Sequence, residues 1–358
     1  MRNEKSRAFH RLAIGVLLSV VLAAPAPAHV SRGYWYDRMN TVTTRHPDWL
    51  GTLRGDVKLS QLSLPGTHDT MSFYGGDKVI TQSLSLPNQL ESGIRVLDIR
   101  CRHISDVFAI HHGAVFQNAF FGDVLNDVVA FLRTHKGEAV FMRVMEEFKP
   151  SNTTRSFDAT FTNHYWYDAR WHGFFWQPKA GEDRNNPTLE QVREKIVILQ
   201  NFPAHSNFGV DYKSFKIQDH WNLGSNWELY DKWLRVKAHL EAANTGSPND
   251  KYMNYLSASG PGPFPYFIAS GHSSPFTGAP RLATGRTTPG WRNSWLDFPR
   301  VDCVRAFWTN FCTIAFEGTN VLAYERMKYY SRVGVIMADF PGPGLIDSVI
   351  ALDNRYRK

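Results

Sequence analysis

From residue 60 onward the chain alternates short apolar runs with stretches of helical spacing. Apolar runs at Leu62–Leu64, Val96–Ile99, Phe108–Ile110, Ala139–Val144, Ile196–Leu199, Phe215–Gln218 and Val333–Ala338 predict buried strands. Between them, Asn118–His135 sets Val124, Leu125, Val128, Val129, Phe131 and Leu132 on one helical face, and Asn226–Ala243 does the same with Leu229, Trp233, Val236 and Leu240. Alternating β and α elements over one long domain predict a parallel sheet covered by helices, although the pattern does not set the number of strands. Residues 29–56 read as an irregular, aromatic-rich lead-in packed on that domain. The Gly-, Pro-, Ser- and aromatic-rich residues 257–299 read as long surface loops, either rims of a site or inert connections.

Composition changes the picture at the N-terminus. The first 28 residues combine a basic start, an apolar run Leu12–Ala24 and a small-x-small pattern at Ala26-Pro27-Ala28, which predicts an export signal cleaved after Ala28. The run is shorter than the ~18 apolar residues expected of a membrane span, and no later stretch reaches that length. Of the formal net charge of +7, +3 lies in this segment. The remaining +4 contains no Lys/Arg block, which argues against nucleic acid and fits loose attraction to an anionic membrane. Export also bears on the three cysteines. Cys303 and Cys312 are near enough for a local disulfide in an oxidising compartment, while Cys101 reads as a buried thiol.

Candidate chemistry gathers at the ends of the strand-like runs. Leu64-Pro65-Gly66-Thr67-His68-Asp69-Thr70 carries a histidine and a carboxylate just past a buried run. In Val96–Arg100, period-two alternation puts Asp98 and Arg100 on one face of an apolar strand, which is costly unless the charges are paired or used. Phe108–Ile110 runs into His111-His112-Gly113, and Val335–Ala338 into Asp339. Two histidines with carboxylate partners and an arginine supply a base, an acid and a phosphate clamp, the set that phosphodiester cleavage requires.

The segments LPGTHDT, QLESGIRVLDIRCR and AIHHG, with VGVIMADF near the end, resemble the bacterial phosphatidylinositol-specific phospholipase C family and its X domain over most of residues 60–350. The resemblance implies a distorted, incompletely closed (β/α)8 TIM-type barrel over 57–358, with its site at the C-terminal mouth of the strands. It implies His68 as the general base on the inositol 2-hydroxyl, Asp339 as its orienting partner, Arg100 on the phosphate, and His112 as the general acid with Asp69 as its carboxylate; His111 reads as structural. The product would be inositol 1,2-cyclic phosphate with release of diacylglycerol, without metal or other cofactor, because Arg100 stands where calcium-dependent relatives carry acidic ligands.

Departures from the family pattern concern the head group. Strand AVFMRVMEE carries Met145 and Glu147 where a lysine and a glutamate are usual, and KIVILQN ends at Asn201 where an arginine is usual. Glu147, Asn201, Asp219 and Trp221 are the expected substrate-binding positions. Phe73, Tyr74, Phe264, Tyr266, Phe267 and Trp291, with Arg286, Arg292 and Arg300 nearby, are candidates for transient membrane contact by a monomer, or alternatively for core packing. Competing readings are a barrel phosphodiesterase acting on another phospholipid or a glycerophosphodiester, and a non-catalytic phosphoinositide- or glycan-binding module.

Overall fold

Thirteen strands form two sheets among the described residues: β1 (Leu64–Thr67), β2 (Val96–Ile104), β3 (Val107–His112), β4 (Val115–Phe120), β5 (Ala139–Glu146), β6 (Lys195–Asn201), β7 (Gly209–Asp211), β8 (Lys216–Gln218), β9 (Tyr252–Tyr255), β10 (Ala283–Thr287), β11 (Val301–Ala306), β12 (Thr309–Ala315) and β13 (Val335–Ala338). This computed structural model describes residues 33–36, 39–261, 263–273, 283–287, 297–298, 301–306 and 308–358. The predicted export segment with its Ala28 site, and Trp291, Arg292 and Arg300, lie outside the described residues.

Eight of the strands lie side by side in the order β7-β6-β5-β2-β1-β13-β9-β8, every adjacent pair parallel. This is chain order around a barrel that stays open between β7 and β8. The link between these two is only Tyr212–Phe215. Hydrogen-bonded parallel neighbours need a crossover of a dozen or more residues, so four residues cannot join them as a ladder. Across the gap the Tyr212 and Tyr255 hydroxyls meet at 2.8 Å. The architecture is the open (β/α)8 TIM-type barrel that the resemblance implied.

β1, β9 and β13 are buried at every position, as strands covered on both faces must be. Gly66 is dictated by packing: a Cβ there would come within 2.6 Å of Met337 Sδ and 2.9 Å of Val96 Cβ, so only glycine lets β1 lie between β2 and β13. The helix Phe121–Thr134 buries Val124, Leu125, Val128, Val129, Phe131 and Leu132, the face its periodicity predicted. Each such side chain contributes about 1.5–3 kcal/mol on leaving water. The helix Leu229–Thr245 buries Leu229, Trp233, Val236 and Leu240 in a second core cluster shared with Leu322, Ala323, Leu345 and Val349.

Several expectations are corrected. Asn118–Phe120, assigned to the first helix, ends β4 instead; Asn118 sits at positive φ and the helix starts at Phe121. β3 and β4 are antiparallel, folded back on an overlong β2. Residues 257–299, expected to be irregular, contain the helix Pro265–Ser270 and strand β10. β10, β12 and β11 form a separate antiparallel sheet in which Cys303 pairs in register with Cys312. Cys312 is disulfide-bonded and Cys101 is a buried free thiol.

Candidate active site

The histidine of the first motif leaves β1 at the mouth and is held on both ring nitrogens. His68 Nδ1 lies 2.8 Å from Asp339 Oδ1, which follows β13, and its Nε2 lies 2.7 Å from Arg100 Nη2 on β2. A guanidinium can only donate, so Nε2 is the accepting nitrogen and Nδ1 carries the proton given to Asp339. The imidazole is thus neutral, with its basic lone pair beside the arginine. Asp339 is buried; burial raises its carboxyl above the usual range, against the pull of His68.

Asp98 anchors the arginine. Its Oδ2 accepts from Arg100 Nε at 3.2 Å and Nη2 at 3.1 Å, and from the Asp69 backbone N–H at 3.1 Å. Its Oδ1 accepts from Arg143 Nη1 at 2.9 Å, the residue beside it in the β2–β5 ladder. Burial alone would raise this carboxyl, but the two guanidinium groups hold it far below the usual carboxylate range. Asp98 and Arg143 were not among the expected site residues. The signal for Asp98 was the charged face it shares with Arg100; Arg143 carries the same signal on β5, where only Met145 and Glu147 were considered.

The second histidine arrives by the hairpin. β3 returns along β2 with Ile110 opposite Cys101, so His112, two residues on, comes back just past the level of the arginine. Its Nδ1 lies 3.0 Å from Asp69 Oδ2 and 3.1 Å from Ser72 Oγ. Asp69 is fully buried at φ 40°, a left-handed backbone held by the Asp98 acceptor and by Thr81, whose hydroxyl donates to the Asp69 carbonyl at 2.8 Å. Burial pulls the His112 pKa down, but the hydrogen bond and charge of Asp69 outweigh it and the net shift is upward. An NMR pH titration is expected to find the His112 ring titrating above the ordinary ~6.5, and Asp69→Asn to bring it down. An unmoved His112 pKa in that variant would remove Asp69 from this role. His111 is buried within the sheet and does not line the site.

A cavity of about 460 Å³ opens over these groups, lined also by Glu147, Asp219, Trp221 and Ser257. Glu147 Oε1 accepts from the Gly113 N–H at 2.8 Å, and its Oε2 lies 3.9 Å from Arg100 Nη1. Asn201 is not among the lining residues. With its amide turned to satisfy its neighbours, its oxygen accepts from Arg143 Nε at 3.0 Å and Nη2 at 2.7 Å, so it serves that arginine and otherwise borders a separate recess with Arg184 and Lys213. Asn320, in the helix Thr319–Arg326, donates from Nδ2 to the Asp339 carbonyl at 2.8 Å and fixes the chain that carries this carboxylate.

Of the aromatics expected at a membrane, Tyr74 is exposed, Phe267 is buried, and Phe73, Phe264 and Tyr266 are half-buried. The exposed aromatics among the described residues that sequence reading missed are Phe116, Phe120, Phe148, Tyr167, Trp227, Trp308 and Tyr329. No helix among the described residues is long and apolar enough to cross a membrane.

Fold and site together define a barrel enzyme with two carboxylate-partnered histidines about a carboxylate-anchored arginine. Residues 64–202 match the family model described as phosphatidylinositol-specific phospholipase C, X domain. The chain is 34% identical over 238 residues to a 1-phosphatidylinositol phosphodiesterase of Listeria monocytogenes, covering 61% of this chain and 70% of that protein. It is 28% identical over 278 residues to the 1-phosphatidylinositol phosphodiesterase of Staphylococcus aureus, covering 68% and 86%. The solved phosphatidylinositol-specific phospholipase C of Listeria monocytogenes superposes with a TM-score of 0.60 at 25% identity, over 86% of this chain and 99% of that one. The chain belongs to the bacterial phosphatidylinositol-specific phospholipase C family.

Proposed function

We propose that this protein is an exported phospholipase C that cleaves phosphatidylinositol to inositol 1,2-cyclic phosphate and diacylglycerol by metal-independent acid–base catalysis. The observation that carries this reading is the pair of differently poised histidines about Arg100. His68 presents an accepting Nε2, while Asp69 favours the protonated form of His112. Opposite protonation states at one pH are what a base and an acid working in a single step require.

His68 takes the proton of the inositol 2-hydroxyl as its oxygen attacks phosphorus, and the charge left on the imidazole is balanced by Asp339. Arg100 donates to the phosphate oxygens on which negative charge grows. His112 gives its proton to the diacylglycerol oxygen as the P–O bond breaks. The nucleophile belongs to the substrate, so the step is intramolecular and the cyclic diester is the first product. A fixed guanidinium supplies the positive charge that a metal ion provides in other phosphodiesterases. Glu147 and Asp219 accept from ring hydroxyls, and Trp221 at the rim offers a stacking face.

The lipid surface meets the mouth. Exposed Tyr74, Phe148 and Trp221 follow the C-terminal ends of β1, β5 and β8, the end that carries the histidines. Such residues favour the membrane interface. A disulfide at Cys312 supports an oxidising compartment and, with the N-terminal segment, export.

Phosphorus NMR of the purified protein with phosphatidylinositol in mixed micelles and EDTA is expected to develop a cyclic phosphodiester signal. Activity lost in EDTA and restored by calcium would contradict the metal-free mechanism. Cleavage of other phospholipids with phosphatidylinositol left intact would overturn the substrate.

A further inference from the structure

We propose that Arg143 binds the polyol head group of the substrate and sets head-group preference, with Ser257 as a second donor. This deepens the phosphatidylinositol reading and rests on it.

Arg143 lies on β5, two residues before Met145, and its side chain lines the cavity although only 9% of its surface is exposed. Of its five N–H groups, three are used: one to Asp98 Oδ1 and two to the Asn201 oxygen. One N–H remains on each terminal nitrogen. The guanidinium is clamped from its flanks, with Asp98 on one side and Asn201 on the other, and its carbon lies 4.6 Å from the Tyr212 ring centre and 5.9 Å from that of Tyr255. This is a planar donor held rigid, so a ligand hydroxyl meets it without the entropy cost of ordering a long side chain.

The cavity otherwise offers hydroxyl groups mainly acceptors, the carboxylates of Glu147 and Asp219. Each sugar-alcohol hydroxyl both donates and accepts, so recognition needs donors too. Arg100 spends Nε and Nη2 on Asp98 and His68 and keeps Nη1 for the phosphate, which leaves Arg143 as the cationic donor for a ring oxygen. An independent observation points the same way: Ser257 lines the cavity, is 2% exposed, and its hydroxyl has no hydrogen-bond partner. A buried hydroxyl left unmade is costly unless a ligand completes it.

Calorimetric titration of glycerophosphoinositol into the His68→Ala protein, with and without Arg143→Lys or Arg143→Met, tests this. Arg143→Lys keeps a charge beside Asp98 but loses the fork. It is expected to weaken binding about tenfold, and Arg143→Met about 10- to 100-fold, while the affinity for inorganic phosphate is unchanged. With His68 intact, KM rises and kcat is held. Unchanged affinity overturns the inference. So does a fall in kcat at constant KM, which would make Arg143 a positioning residue acting on Arg100 through Asp98. Should Arg143→Met fail to fold, Arg143→Lys still decides. No binding by the His68→Ala protein itself would overturn the head-group reading beneath, and this inference with it.

Discussion

Substituting His68 with alanine is expected to lower kcat on phosphatidylinositol by about 10²- to 10⁴-fold, the range that a positioned proton-transfer group contributes. The geometry argues for the whole of that loss in the chemical step. Nε2 is turned toward Arg100, and Nδ1 is committed to a carboxylate that 1% exposure leaves inaccessible to water. The other histidine is a poor substitute, because the Asp69 carboxylate beside it favours its protonated form. His112→Ala is expected to cost a similar factor on the lipid, but far less on a soluble inositol phosphodiester whose leaving group is a weakly basic phenol, since such an oxygen departs without a proton. Measuring both variants on both substrates separates base from acid. Equal losses for His112→Ala on the two substrates would overturn its assignment as the acid, and near-wild-type turnover of His68→Ala would overturn its role as the base.

Arg100→Lys is expected to lose about 10²- to 10³-fold in kcat, comparable to removing a donor aimed at developing negative charge. Arg100 reaches Asp98 with Nε and Nη2 and touches His68 with that same Nη2. An ammonium is a single point on a flexible stem and cannot span both partners while facing a phosphate. Asp98 would keep Arg143 and the Asp69 N–H, so the fold is expected to survive and thermal unfolding to shift little. A lysine variant that retains kcat would mean that charge alone suffices and that the planar contact plays no part.

Much of this site was legible in the sequence because its parts follow buried strands, where a polar residue stands out against apolar neighbours. His68, Asp69, Arg100 and Asp339 were found that way and meet within one constellation. His112 was found as well, although the reason differed: it reaches the mouth through an antiparallel return, and pairing direction is not written in an apolar run. The short strands β7 and β9 were missed because three or four residues give too little periodicity to separate from a loop. Asn201 was assigned to the head group because it stands where an arginine is usual in the family pattern. Its amide is instead taken by Arg143 of the neighbouring strand, a lateral pairing that only the ladder register reveals. Exposure of the aromatics was not legible at all, since Phe148 and Phe267 are alike as residues and differ only in what covers them.

The unpaired line between β7 and β8 gives the barrel a soft side and a stiff one. Widening a ring of strands elsewhere would break ladder hydrogen bonds, whereas here the short link Tyr212–Phe215, the Tyr212–Tyr255 hydroxyl contact and Arg143 against both rings span the seam. His68, Arg100 and Asp339 belong to the continuous stretch β2-β1-β13, and Arg143 leans on Tyr212 at the seam. The constellation of His68, Arg100 and Asp339 is therefore braced by continuous ladders, while the clamped Arg143 borders the seam, so substitutions along the seam can alter the walls of the cavity without loosening the geometry of the proposed chemistry.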